Sequence, residues 1–328
     1  MAARVYVTRP VFDQAVEGLK RAAQVAINSE ERVLSKNELI AHLREADGAL
    51  TLLTDIIDRQ VLEACPRLKA VANFAVGFNN VDIEAATQLG VIVTNTPGVL
   101  TETTADFAWT LLMAAARRVV EADTFARAGK FKAWGPKMFL GYDIYAKTLG
   151  LIGLGRIGQA VARRASGFNM KVLSYDAEPI PERVVEELHV TRVSLDELLR
   201  TSDFISLHVP LLAETRHLLN DRTFAMMKPT CVVVNTSRGP VVDEKALVRA
   251  LKSGKIAAAG LDVFEREPEI EPELFDLNSV VIAPHIASAS HETRLKMCMM
   301  AAENLLAVLK GNRPPNFVNP EVWDRRRV

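Results

Sequence analysis

The feature that most constrains the fold is a glycine-rich turn placed directly after a short apolar segment. Leu149–Ile152 has the pattern of a buried strand, Gly153-Leu154-Gly155-Arg156-Ile157-Gly158 follows it, and a helical pattern continues to Phe168. A second strand, Lys171–Tyr175, ends at Asp176, eighteen residues after Gly158. Strand, glycine turn, helix and acid-terminated strand together form the unit that binds a dinucleotide in parallel α/β sheets.

Each glycine of this unit has a physical task. Gly153 permits the tight turn, Gly155 lets the backbone approach a pyrophosphate, and Gly158 lets the helix pack closely on the strand. The helix N-terminus at Arg156–Ile157 offers N–H groups and a partial positive charge to phosphate. Asp176 can accept hydrogen bonds from ribose hydroxyls and would repel a 2′-phosphate. The pattern favours NAD(H) as cofactor and leaves NADP(H) open.

Alternation of strands and helices extends along most of the 328 residues, a length that suggests two domains at about 100–200 residues each. Before residue 95 the predicted strands are Val5–Thr8, Val25–Asn28, Gly48–Leu53, Ala70–Phe74 and Val91–Thr94. From Lys147 onward they are Thr148–Ile152, Lys171–Tyr175, Thr191–Val193, Phe204–His208, Cys231–Asn235, Ala257–Asp262 and Val280–Ala283. Apolar strands separated by helices predict an α/β protein with two doubly wound parallel-sheet domains, Rossmann-like or flavodoxin-like.

Three further segments carry predictions. Apolar residues at helical spacing predict one long helix from Thr101 to about Ala128. A last helix over His291–Leu309 follows the second sheet, so we expect the chain to return to the first domain. Ser35 and Glu38 have the spacing of a helix capping box. The basic end, Arg325–Arg327, is predicted to be a frayed tail.

Composition excludes several classes of protein. Forty Lys and Arg balance forty Asp and Glu, which argues against nucleic acid as the main partner. Cys65, Cys231 and Cys298 lie far apart without metal-ligand spacing, so we expect neither a disulfide framework nor a metal site. The first ten residues lack the apolar core of a signal peptide, and no apolar run reaches about 18 residues. We therefore expect a cytoplasmic protein with no membrane segment.

One cation, one carboxylate and one imidazole follow successive strands of the second series. Arg238 comes after Cys231–Asn235, Glu267 after Ala257–Asp262, and His285 after Val280–Ala283. Taken singly, these side chains read as a surface ion pair, a solvated acid and a core histidine. Parallel strands bring their carboxyl ends to one edge of a sheet, the edge where ligands bind. Their shared placement therefore favours a catalytic set.

This set suits hydride transfer to a 2-keto acid. The planar guanidinium of Arg238 can bind a carboxylate and polarise the adjacent ketone. His285 can give a proton to the developing alkoxide. Glu267 can fix the imidazole ring and stabilise its protonated form.

Seven motifs together resemble the D-isomer-specific 2-hydroxyacid dehydrogenases over nearly the whole chain. The resemblance is greatest to their glyoxylate/hydroxypyruvate reductase branch. The motifs are Asn73–Gly77, Thr101–Asp106, Trp134-Gly135-Pro136, Gly153–Gln159, Asn235–Gly239, Gly260–Glu265 and Pro284–Ile286. The resemblance implies that His285 is the acid/base, Glu267 its partner and Arg238 the substrate-orienting cation.

The same resemblance implies a split topology and an assembly. Residues 1–98 with 287–328 would form the substrate domain, and residues 99–286 would form an inserted NAD-binding domain. A homodimer is implied, built through the Thr101–Ala128 helix and the loop that carries Trp134. Trp134 would either reach the partner's active site or only pack at the interface.

Further site residues are implied by position in the family motifs. Substrate would be held by the backbone of Val76 and Gly77 and walled by Leu53, or by its neighbour Leu52. Thr104, Thr236 and Asp262 would lie near the nicotinamide, and Val209 and Pro210 beside the adenine. The cofactor set is completed by His208, Thr215 and Ala287, the last of which replaces a glycine usual in the family.

We therefore expect NADH-dependent reduction of glyoxylate or hydroxypyruvate to the D-2-hydroxy acid, and the reverse reaction. Glu267 stands where formate dehydrogenases carry Gln, which argues against formate. D-Lactate, gluconate or phosphite as substrate remains open on the same scaffold. An NAD-sensing corepressor-like scaffold is disfavoured because the chain has neither a long tail nor a basic targeting run.

Overall fold

The computed structural model describes residues 2–327, which form two compact units. One unit contains the chain up to Leu100 together with the stretch from Ser290 onward, and the other is Thr101–Ala289. Each unit is built on one all-parallel sheet with helices, so the predicted fold class is confirmed. The assignment of one unit to substrate and the other to cofactor stays a prediction.

The elements alternate along the chain. The strands are β1 Ala3–Val7, β2 Ala23–Ile27, β3 Gly48–Thr51, β4 Ala70–Asn73, β5 Ile92–Thr94, β6 Thr148–Ile152, β7 Lys171–Tyr175, β8 Val190–Arg192, β9 Phe204–Leu207, β10 Val232–Asn235, β11 Ala258–Leu261 and β12 Val280–Ile282. The α-helices are α1 Asp13–Lys20, α2 Lys36–Leu43, α3 Arg59–Ala64, α4 Ile83–Gln88, α5 Thr101–Ala116, α6 Val119–Arg127, α7 Arg156–Ala165, α8 Glu182–Leu188, α9 Leu195–Thr201, α10 Asp221–Phe224, α11 Glu244–Lys252 and α12 His291–Leu309. Short 3-10 turns cover Ser166–Phe168, Gly239–Val241, Pro272–Leu274 and Pro320–Arg325.

The first unit holds a five-stranded sheet in the order β2-β1-β3-β4-β5. Neighbouring residues of a strand face opposite sides, and on β4 Val71 enters one core while Ala70 and Ala72 enter the other. Helix α12 packs on the second of these faces, so the predicted return of the chain is confirmed. The predicted capping box is also confirmed, because Ser35 and Glu38 bond each other's backbone at the start of α2.

The second unit holds the predicted seven strands in the order β12-β11-β10-β9-β6-β7-β8. Strand β6 lies between β9 and β7, so the chain builds the sheet outward from it in both directions. Such a reversal leaves a crevice at the carboxyl ends of the two inner strands, where ligands bind in doubly wound sheets. The loops after β6 and β9 therefore border the expected site.

The predicted single helix from Thr101 to Ala128 is wrong. Helix α5 ends at Ala116, and Arg118 adopts a left-handed conformation with φ of 54° before α6 begins. The carbonyl of Ala116 accepts the N–H of Tyr142 at 2.9 Å, where a continuing helix would use it for its own ladder. The loop that contains Tyr142, 26 residues further along the chain, therefore takes the carbonyl at which this helix ends.

The predicted frayed basic tail is also wrong, because Arg327 holds the ends of two helices. Its guanidinium donates to carbonyl oxygens that follow α3 and α4, and its backbone N–H donates to Gly90. The carbonyls belong to Cys65, Leu68 and Leu89, at 2.7, 3.0 and 2.8 Å. A cation at helix C-termini is favoured because it satisfies orphan carbonyls and opposes the partial negative charge.

Removing this guanidinium should destabilise the first unit. Arg327→Met is expected to lower the free energy of unfolding by about 1.5–3 kcal/mol, the range for hydrogen bonds to charged groups. Urea unfolding followed by circular dichroism measures the change. Arg325→Met, at an exposed position, removes the same charge and should cost under about 0.5 kcal/mol. Equal losses in the two variants would contradict the helix-end role.

Candidate active site

The glycine turn after β6 combines two crowded positions with one open position. Gly153 has φ of 94°, and a Cβ there would lie 2.8 Å from the carbonyl oxygen of His208. A Cβ on Gly158 would collide with the carbonyl oxygen of Gly153. A Cβ on Gly155 would meet nothing within 4 Å. The turn therefore packs tightly on its inner side and leaves space above Gly155 for a ligand.

The start of α7 has the properties of a phosphate site. Gly155 is its N-cap and supplies no capping side chain, and Arg156 is exposed. The N–H groups of the first turn of a helix have no partner within the helix. Asp176 accepts the N–H of Leu154 at 2.7 Å, which ties the turn to the end of β7, and its carboxylate keeps lone pairs for hydroxyl groups. These residues fit a dinucleotide.

The loop after β9 lies against this turn. His208 shares a hydrogen bond of 2.9 Å between Nε2 and Ser206 Oγ, and burial lowers the pKa of His208 to about 4, so its ring is neutral at pH 7. Thr215 Oγ1 donates to the carbonyl of Pro210 at 2.6 Å. The structure thus places His208, Val209, Pro210 and Thr215 in one loop beside Gly153.

Two predicted cofactor residues of the second unit are buried threonines. Thr104 lies on α5, and Thr236 follows β10. Within residues 2–327 the hydroxyl of Thr236 is buried without a hydrogen-bond partner. A buried polar atom normally has one, so this hydroxyl is a natural contact for a bound group.

The proposed acid/base and its partner are in direct contact. His285 Nδ1 lies 2.7 Å from Glu267 Oε2, and Glu267 Oε1 accepts the N–H of Phe264 at 3.0 Å. The remaining ring nitrogen of His285, Nε2, has no hydrogen-bond partner within the described part of the chain. A carboxylate on Nδ1 orients the ring and leaves Nε2 to exchange a proton with a substrate.

Charge and burial act against each other at Glu267 and Arg238. Burial alone would raise the pKa of Glu267, but the hydrogen bond from His285 and the charges of His285 and Arg238 hold that pKa below its ordinary value. Glu267 is therefore ionised at neutral pH and loses its charge only well into the acid range. Burial lowers the pKa of Arg238, and the nearby charge of Glu267 opposes that shift. The Arg238 guanidinium also donates to the carbonyl of Ser237 at 2.6 Å.

Asp262 holds the backbone that carries His285. The residue is 0% exposed, and its two carboxylate oxygens accept the N–H groups of Ile286 and Ala287 at 2.7 and 2.8 Å. His285 has φ of 54°, a left-handed conformation that costs a non-glycine residue about 1 kcal/mol or more. Burial raises the pKa of Asp262, and these two amides oppose the shift. The sequence predicts Asp262 near the nicotinamide but does not reveal this clamp, because both partners are backbone groups.

Gly239 is a second feature that sequence reasoning missed. A Cβ at this position would collide with the carbonyl group of Phe264. The loop that carries Arg238 therefore touches the loop that carries Glu267, backbone against backbone. The only sequence signal is the glycine directly after Arg238.

The predicted substrate residues Leu53, Val76 and Gly77 belong to the first unit. They follow β3 and β4 at the carboxyl edge of the five-stranded sheet. Asn73 Nδ2 donates to the carbonyl of Gly77 at 2.9 Å. Within residues 2–327, the N–H groups of Val76 and Gly77 donate to no other residue. Consecutive free amides of this kind can bind an anion.

Trp134 lies in the loop after α6 and is 80% exposed. Among residues 2–327, no group of three or more His, Cys, Asp or Glu side chains is arranged to hold a metal ion. Over the same residues, no helix has the length and apolar character needed to cross a membrane.

Comparison with known proteins identifies the family. The sequence model of the D-isomer specific 2-hydroxyacid dehydrogenase NAD-binding domain matches residues 109–287. A glyoxylate reductase of Korarchaeum cryptofilum is 54% identical over 325 residues, which are 98% of this chain and 97% of that protein. The chain belongs to the D-isomer specific 2-hydroxyacid dehydrogenase family. The predicted family resemblance is confirmed, and the protein is an oxidoreductase.

Two crystal structures of similar proteins cover almost the whole chain. A glyoxylate reductase from Paecilomyes thermophila has a TM-score of 0.87 and 32% identity, covering 98% of this chain and 99% of that one. An NADPH-dependent glyoxylate/hydroxypyruvate reductase from Sinorhizobium meliloti, in complex with NADP and malonate, has a TM-score of 0.88 and 33% identity, covering 100% of both chains.

The glycine turn generates a paired prediction. Gly155→Ala should lower thermal stability only slightly, through a poorer helix N-cap, because its Cβ meets no protein atom. It should weaken dinucleotide binding at least about tenfold by filling ligand space. Gly158→Ala should lower stability as well, because its Cβ collides with Gly153. Differential scanning fluorimetry and quenching of intrinsic fluorescence by NADH measure the two effects. Unchanged NADH affinity in Gly155→Ala would contradict a ligand site above that residue.

Proposed function

We propose that the protein reduces a small 2-keto acid, glyoxylate or hydroxypyruvate, to the D-2-hydroxy acid with NADH, and catalyses the reverse reaction. The observation that carries the proposal is the 2.7 Å contact between His285 Nδ1 and Glu267. The charge of Arg238 acts on Glu267, and these residues belong to the unit whose first strand leads into the glycine turn. Curated relatives named glyoxylate reductase, at 54% and 50% identity over nearly the full length, support this substrate class.

The reaction adds a hydride to the keto carbon and a proton to its oxygen. The reduced nicotinamide, when bound, supplies the hydride. His285 Nε2 gives its proton to the carbonyl oxygen as negative charge develops there. Glu267 stabilises the protonated ring before the transfer and holds its orientation. Arg238 binds the substrate carboxylate and polarises the ketone.

A preference for NAD(H) is part of the proposal. The residue after β7 is Asp176, and the following segment to Pro181 contains no Lys or Arg. A carboxylate at this place accepts hydrogen bonds from the ribose hydroxyls and repels a 2′-phosphate. Because the similar Sinorhizobium enzyme is NADPH-dependent, both cofactors belong in the test.

A homodimer is the second part of the proposal. Helix α6 has no buried residue, although Val119, Val120 and Phe125 are apolar. The loop after it exposes large apolar side chains, Phe131, Trp134 and Tyr145. Large apolar patches of this kind mark protein–protein contacts, and we propose that a second copy covers this one.

We also propose a cytoplasmic location, since Cys65, Cys231 and Cys298 are buried free thiols that suit a reducing compartment.

Steady-state kinetics test the reaction. NADH oxidation should be fastest with glyoxylate or hydroxypyruvate in a panel that includes pyruvate, 2-ketogluconate and, for NAD⁺ reduction, phosphite. The specificity constant for NADH should exceed that for NADPH by at least about tenfold. Turnover of phosphite alone, or no turnover despite NADH binding, would contradict the proposal.

Substitutions at the imidazole pair test the mechanism. His285→Ala should lower kcat by about 100-fold or more, because it removes the proton donor. Glu267→Gln should lower kcat less and move the alkaline fall of the reduction rate to lower pH, because an uncharged partner stabilises the protonated ring less. His42→Ala, at an exposed histidine of α2 in the other unit, is the control and should keep the alkaline fall in place. An unmoved profile in Glu267→Gln would argue against the role of Glu267.

The position of Trp134 in a dimer is tested by subunit exchange. Trp134→Ala and His285→Ala homodimers should each be impaired. If Trp134 serves the partner's site, mixed dimers regain one complete site, with His285 from one subunit and Trp134 from the other. Activity should then rise on mixing, up to about a quarter of the wild-type value for random exchange. No recovery, with exchange verified by mass spectrometry, would contradict action across the interface.

A further inference from the structure

A carboxylate outside the proposed catalytic set is buried beside two of its loops. Glu244 begins α11, directly after the segment that carries Arg238, and is 4% exposed. A buried carboxylate costs free energy unless hydrogen bonds replace its lost water. Its contacts therefore show what the carboxylate holds.

The carboxylate of Glu244 lies near both ends of one loop. Its Oε1 accepts the N–H of Glu265 at 2.6 Å, and the backbone of Glu271 at the other end opposes the rise that burial causes in the pKa of Glu244. Glu265 answers with its own side chain, since its Oε2 accepts the N–H of Glu244 at 3.3 Å. Glu267, the partner of His285, lies between these two positions. The loop therefore cannot shift at Glu265 without breaking a buried hydrogen bond.

Other contacts bind the same loop at different points. His217 Nε2 lies 2.6 Å from Glu265 Oε1, which links the loop to the segment after β9. Gly239 leaves no room for a Cβ against Phe264. A displacement of the Glu265–Glu271 loop would pass directly to the imidazole, because Glu267 Oε2 contacts His285 Nδ1 at 2.7 Å.

We infer that Glu244 is a positioning residue for keto-acid reduction: it fixes the Glu265–Glu271 loop at Glu265 and so sets where Glu267 holds the His285 ring. The inference rests on the proposed function, because reduction is the reaction that uses the ring. Glu244 acts through Glu267 and makes no contact with substrate in this role.

The alternative is that Glu244 only stabilises the start of α11. An acid in the first turn of a helix is favoured by the partial positive charge there. Asp243 separates the two readings, because it caps the same helix by accepting the N–H of Ala246 at 2.9 Å and bonds to no part of the Glu265–Glu271 loop. Asp243→Ala is therefore a matched control that weakens α11 alone.

The kinetic test compares Glu244→Ala, Glu244→Gln and Asp243→Ala. Glu244→Ala should lower kcat by about 10- to 100-fold, the cost of a misplaced catalytic group, while the Kd for NADH stays within about twofold. Glu244→Gln keeps one acceptor oxygen and should lose less. In both Glu244 variants the alkaline fall of kcat should move to lower pH, as in Glu267→Gln. Asp243→Ala should lose stability but keep kcat within about threefold and the pH profile unmoved.

A spectroscopic readout makes the test independent of turnover. The ring N–H proton shared with Glu267 should give a downfield proton NMR signal, identified by its absence in His285→Asn. This signal should shift or disappear in Glu244→Ala and persist in Asp243→Ala. If the wild-type protein reduces no keto acid, the proposed function fails while the signal still tests the loop. The inference is overturned if the signal and kcat are unchanged in both Glu244 variants. It is also overturned if kcat falls in proportion to the lost stability in Glu244→Ala, Glu244→Gln and Asp243→Ala alike. Should Glu244→Ala not fold, Glu244→Gln alone decides by the same criteria.

Discussion

The hydrogen bond between His285 and Glu267 depends on three neighbouring parallel strands that end at one level. Asn235 on β10 pairs with Leu261 on β11, and Leu261 pairs with Ile282 on β12. The segments after these residues leave the same edge of the sheet and carry Arg238, Glu267 and His285. Parallel pairing makes this convergence automatic. A one-residue slip would reverse every side chain of a strand and separate the set.

The strand ends bring the catalytic side chains to one edge of the sheet, and buried acids then fix the loops that carry them. Both carboxylate oxygens of Asp262 accept backbone N–H groups, and one oxygen of Glu244 and one of Glu267 do the same. Hydrogen bonds from backbone N–H groups offset the free-energy cost of burying a carboxylate. Unlike a side-chain donor, a backbone N–H cannot move away by changing rotamer. The second oxygen of Glu267 remains for His285. Main-chain hydrogen bonds therefore set the position of Glu267, and its Oε2 is the carboxylate oxygen that contacts the imidazole.

The extent of prediction follows from how local each signal is. The strands, the glycine turn and the strand-end residues were predictable, because apolar runs and turn residues act within a few positions of the chain. The break after Ala116 was not predictable, since a loop 26 residues further on takes its carbonyl. Nor was the role of Arg327, whose partners lie more than 230 positions away. Glu244 resembles any acid in a first helical turn, and only the packed loop distinguishes it.

The left-handed conformation of His285 accompanies backbone contacts with the loop of the neighbouring strand. Residue 285 follows β12, yet its backbone N–H and the next two amides bond to Asp262, which follows β11. Glu267 follows β11 as well. The imidazole is thus held in orientation by the neighbouring strand's loop rather than by its own strand, and strain at one residue is the local cost of that arrangement.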